Sequence, residues 1–111
     1  MQHIDLNNGR WAKLTFVEQM ANVGSEIERA LKWNGSKRQE YAHFAHERAL
    51  ELFDLTLSST HQFSILKEVA RARELWLDFF VGENQYKQTA RQWHNYFFSF
   101  TYAARNKSFR L

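Results

Sequence analysis

Two arginines interrupt apolar helix faces, and a buried cation must find an anion. In the helical register of Phe63 to Val81, apolar side chains recur at Leu66, Val69, Ala70, Trp76, Leu77 and Phe80, and Arg73 falls inside their arc. Arg48 interrupts the preceding helix in the same way, among Tyr41, Ala45, Leu52 and Leu55. A guanidinium in such a place either reaches past its neighbours to water or pairs with a carboxylate. Glu51, Asp54, Glu74, Glu26 and Glu28 are the candidate partners, and Arg73 is expected to be mostly buried against Glu51, Asp54 or Glu26. The plain reading is an ion-pair network that fixes helix register. The chemical alternative is an anion pocket, with the two guanidiniums gripping a phosphate or carboxylate.

The second helix also carries a charged stripe on its narrow polar face. Glu40, His43 and Glu47 have Glu-x-x-His spacing extended by one turn, which di-metal bundles use twice. It occurs once here and faces away from the apolar arc, so a solvated face is expected, with no metal and no cofactor. The five histidines as a group read as surface residues. The outer face of the last helix differs in kind. Arg91, His94, Phe98, Tyr102 and Arg105 lie opposite its core stripe, and Lys107 and Arg110 follow. Arginines with aromatics suit a protein interface, and they also suit single-stranded nucleic acid. The interface is the preferred expectation, in the form of a homodimer, because Phe98 and Tyr102 point away from Trp93, Phe97 and Phe100. The alternative cover for those two rings is the N-terminal lead-in with Trp11.

Arg38 and His43 form an Arg-x4-His pair. This spacing resembles the motif of HEPN-type helical ribonucleases. That resemblance implies a metal-independent ribonuclease, with Arg38 and His43 acting on one phosphate, usually across a dimer interface. In that superfamily the motif stands late in the domain, whereas here it opens the second helix. No Gly-rich phosphate loop, nucleophile elbow or His-Glu-x-x-His motif is present.

These residues require elements to hold them. The chain has 111 residues, no proline and only four glycines, which favours helices joined by short turns. Aromatics make up 16% of it, enough ring surface to supply both a core and an interface. The net charge of +3 permits a polyanion partner without demanding one. Without cysteine, thiolate and disulfide chemistry are excluded. No run approaches the roughly 18 apolar residues of a membrane span, and Met1 to Arg10 lacks a signal-peptide core, so a cytoplasmic protein is expected.

Met1 to Leu14 reads as a mostly irregular lead-in, with Trp11 and Leu14 as anchors. Thr15 and Glu18 form a capping box for a first helix reaching about Trp33. Gly24 in mid-helix marks a close crossing. Asn34-Gly35 ends that helix, and Ser36 with Gln39 repeats the capping signature for a second, to about Leu57. The third helix stops at Gly82. Thr89 caps a fourth, from Ala90 to about Arg105, and residues 106–111 form a basic tail. The expected fold is all-α: one domain over residues 1–111, an antiparallel four-helix bundle organised around the third helix.

The strings Glu47 to Thr56, Ala70 to Glu74 and Asn22 to Glu26 resemble a family of small, uncharacterised, all-helical bacterial proteins. That resemblance spans most of the chain and implies a bacterial origin, with no activity attached. The functional expectation is therefore a non-enzymatic interaction or scaffold protein. Nucleic-acid binding and HEPN-like cleavage are the alternatives.

Overall fold

The computed structural model describes residues 9–109, with side chains through 106, and among these every regular element is a helix. The leading residues 1–8 and the tail side chains, Lys107 and Arg110 included, lie outside the described residues. Four long helices follow one another: α1 (Phe16–Trp33), α2 (Gln39–Ser58), α3 (Phe63–Phe80) and α4 (Ala90–Phe109). The lead-in is not wholly irregular, since residues 9–13 are helical. The last helix continues four residues beyond the expected end at Arg105, because nothing from Asn106 to Phe109 breaks a helix.

Local chemistry explains most of the ends. The Thr15 side chain accepts the amide of Glu18, and the Glu18 carboxylate accepts the amide of Thr15, closing the capping box of α1. Gly35 takes φ +78, as a helix stop of this kind requires. Thr89 and Gln92 exchange the same reciprocal bonds ahead of α4. The expected cap at Ser36 is not made. The N-cap of α2 is Arg38, without a side-chain bond. Ser36 Oγ instead donates to the Trp33 carbonyl, and Gln39 bonds back to Asn34 and Gly35. These residues serve the turn, not the helix that follows.

The interior is organised around α1 and α2, not α3. Met20, Val23, Ile27 and Ala30 are fully buried along one stripe of α1, which packs on α2 and on α4. Gly24 lies on that stripe, and a Cβ there would stand 2.7 Å from the Cβ of Phe97 on α4. The crossing expected at Gly24 is therefore made with the last helix. By contrast, α3 buries only Val69, Ala72 and Trp76, and Phe63 at its start is 77% exposed. The lead-in is tied down by Trp11, whose indole N–H donates to Thr56 of α2 at 3.0 Å and whose carbonyl accepts from Gln19.

Residues 81–89 connect α3 to α4 without regular structure but with defined bonds. The Asp78 carboxylate accepts the amides of Gln85 and Tyr86, and the Asn84 side chain donates to the Gln88 carbonyl and accepts its amide. Asn84 itself sits at φ 53, a region that asparagine tolerates better than most residues.

Candidate functional site

The inward arginines do not form one network. They separate into two pairs on the two sides of α2. Towards α3, Arg73 Nε lies 3.0 Å from Asp54 Oδ1, but 32% of the arginine side chain and 57% of the aspartate remain in contact with solvent. Arg73 thus pairs with Asp54, one of the three expected carboxylates, but it is half-buried and its partner is exposed, so the pair is not enclosed. Towards α1, Glu26 is the buried member. Its carboxylate accepts from Arg29 at 2.9 Å and lies 3.8 Å from Arg48 Nε, and both arginines are more than half exposed. Glu51 is half-buried. The sequence could not separate these arrangements, because an arginine's four-bond reach lets one arc position serve either surface.

Glu26 lies at the junction of two adjoining clefts between α1 and α2. The first, about 540 Å³, is lined by Arg10, Trp11, Asn22, Ser25 and Leu52 together with Glu26, Arg29 and Arg48. The second, about 330 Å³, shares those last three and continues to Trp33, Tyr41, Phe44 and Ala45. Phe44, on a flank of the α2 apolar arc, is 62% exposed. Tyr41 is also exposed, with the Arg38 guanidinium over its ring and its hydroxyl accepting from Arg38. Lys32 lies over Trp33 in the same way.

Arg38 and His43 are not brought together. Arg38 turns to Tyr41 beside α1, whereas His43 packs edge-on against Phe80 of α3. A shared phosphate would need both on one side of α2. Among the described residues no group of three His, Asp or Glu side chains could hold a metal, Glu40, His43 and Glu47 included.

One histidine departs from the surface expectation. His46 is buried, stacked on Phe80 with centroids 4.5 Å apart, and its Nδ1 accepts the Trp76 indole N–H at 2.9 Å. An indole only donates, so the neutral ring carries its proton on Nε2. Burial pushes its pKa below the ordinary value, His43 and Arg73 push the same way, and Glu47 opposes them. Its spacing from Ala42, Ala49 and Phe53 was the available signal.

Between α3 and α4 lies a more apolar cleft of about 260 Å³, walled by Ala72, Leu75, Trp93 and Tyr96. The Tyr96 hydroxyl donates to Glu68 at 2.9 Å, and burial together with that bond raises its pKa well above the usual phenol value. The Trp93 indole N–H is buried and has no acceptor among the described residues.

On the outer face of α4, His94, Phe98 and Tyr102 stack in sequence, with centroids 6.0 and 6.2 Å apart. Phe98 and Tyr102 are more than half exposed, Arg91 and Arg105 are exposed beside them, and His94 Nδ1 meets Glu28 of α1 at 2.7 Å. Trp11 is committed to α2, so this part of the lead-in does not cover the ladder. No helix among the described residues is long and apolar enough to cross a membrane. Comparison of the chain with family models, curated proteins and solved structures finds no match.

Proposed function

We propose that this protein acts by association and not by catalysis, as a cytoplasmic antiparallel four-helix bundle that forms a homodimer through the outer face of α4. The observation that carries this reading is the exposed His94–Phe98–Tyr102 ladder. Monomers seldom leave such a patch in water, and a two-fold axis covers it with its own copy. The bundle behind it supplies a rigid support, since α4 is locked to α1 at Gly24 and Phe97.

An axis near Phe98 sets Arg91 of one copy close to Arg105 of the other. Salt screens that repulsion, so self-association is expected to tighten as ionic strength rises. Nucleic-acid binding by the same face would weaken instead. Sedimentation of wild type and Phe98→Asp over a range of concentration and salt tests the proposal. A wild type that stays monomeric at high concentration refutes it, and a Phe98→Asp variant that still dimerises places the two-fold elsewhere.

A further inference from the structure

We propose that the groove between α1 and α2 binds single-stranded nucleic acid, with phosphates on Arg10, Arg29 and Arg48 and a base stacked on Phe44. This interaction is separate from self-association through α4.

Charge complementarity is the first argument. Among the described residues Glu26 is the only carboxylate lining the two adjoining clefts, and it is buried beneath Arg29 and Arg48. Arg10, Arg29 and Arg48 line the clefts, and Lys32 and Arg38 flank them on the rings of Trp33 and Tyr41. Among the described residues three guanidiniums therefore line the clefts against one carboxylate, while the whole chain has 15 cations against 12 acids. Arg10 has no ion pair among the described residues. The bonds to Glu26 hold the guanidinium of Arg29 in place and leave most of its donors facing solvent. Planar guanidiniums held this way match phosphate oxygens.

The order of groups along the groove is the second argument. Arg10 stands at one end, Arg29 and Arg48 line both clefts, and Trp33, Tyr41 and Phe44 line the other end. Trp33 and Tyr41 meet edge to face, and each is already covered by a cation of its own chain. Phe44 has no ring partner among the described residues and is 62% exposed, so its face is available to a base. Stacking is open to every base, which gives a strand binder with little sequence preference. A duplex keeps its bases stacked inside and cannot use that ring.

Fluorescence anisotropy of labelled ten-nucleotide oligo-dT and oligo-U, at 50 to 300 mM salt, tests the proposal. The expected slope of log affinity against log salt is roughly −2, for three phosphates neutralised. Phe44→Ala and Arg10→Ala remove exposed side chains and keep the fold, as circular dichroism will check. Phe44→Ala should weaken binding about fivefold or more, and Arg10→Ala should flatten the salt slope by about 0.7. The double variant Arg91→Ala/Arg105→Ala and the dimer variant Phe98→Asp should bind as wild type does, so this proposal and the α4 reading fail separately. The proposal is overturned if wild type binds neither oligomer at 50 mM salt, or if Phe44→Ala and Arg10→Ala bind like wild type. It is equally overturned if the loss follows Arg91 and Arg105, or if a duplex, uridine monophosphate or polyglutamate competes as well as the unlabelled oligomer.

Discussion

The contact between α1 and α2 and the contact between α3 and α4 use the same aliphatic and aromatic vocabulary with opposite results. Ala30, Ala45 and Ala49 are buried where α1 meets α2, and small side chains let two backbones come close. Between α3 and α4 stand Trp76, Phe79, Trp93 and Tyr96, with Trp93 edge-on to Trp76 and Tyr96 and tilted against Phe79, and these rings hold the helices apart around a cleft. Ring-rich faces bury much area per residue, but they do not by themselves define the centre of a fold. The volume of the facing side chains decides which helices approach and which are held off.

Trp76 is where that contrast is most exposed to test. It is fully buried, bonded to His46 and stacked on Phe80, so Trp76→Ala should cost about 3 to 5 kcal/mol. Phe63→Ala, at the exposed start of the same helix, should fall within about 0.5 kcal/mol of wild type. Urea denaturation reads both, and similar losses would mean that α3 is buried along its whole length. Gly24→Ala comes next. The added methyl collides with Phe97, an overpacking of about 1 to 3 kcal/mol that a helix-propensity gain of about 1 kcal/mol only partly offsets. A stabilised variant would show that α4 can back away from α1.

Arg73→Ala should cost less, about 0.2 to 1 kcal/mol, because its pair with Asp54 is largely exposed to solvent. A loss of several kcal/mol would restore a buried network. The smallest effect is one of pH. The folded state holds the pKa of His46 below 6.5, so the unfolded chain takes up its proton first. Stability is therefore full above pH 6.5 and declines as pH falls below it. His46→Gln should flatten that decline in denaturation midpoints measured at pH 7.5 and 5.5, and an unchanged slope would assign it to other groups.

Much of the fold was legible because its signals are local. Thr15 with Glu18, Gly35, and Thr89 with Gln92 depend on residues within one turn of each other. Gly24 was legible because a mid-helix glycine is unfavourable unless something needs the space. The arginine pairs were less so, since an apolar arc fixes where Cβ points and not where a long side chain ends. The exposure of Phe44 and the burial of His46 were illegible for a related reason. Both lie on the flanks of the α2 arc, and only the positions of α1 and α3 decide that Phe44 emerges and His46 is covered. Asp78, which holds the turn after α3 by two amides, gave no sign in its own neighbourhood, because its partners come seven and eight residues later.

The meeting of Gly24 with Phe97 also bears on the order in which the chain assembles. Those residues are 73 apart, whereas Glu26 and Arg48 across the first hairpin are 22 apart. Closing the longer loop costs about 1 kcal/mol more in chain entropy, so α1 and α2 are expected to pair before α4 docks. In kinetic terms, Gly24→Ala should then speed unfolding and leave the folding rate nearly unchanged. A variant that folds as slowly as its lost stability allows would place α4 in the nucleus and reverse that order.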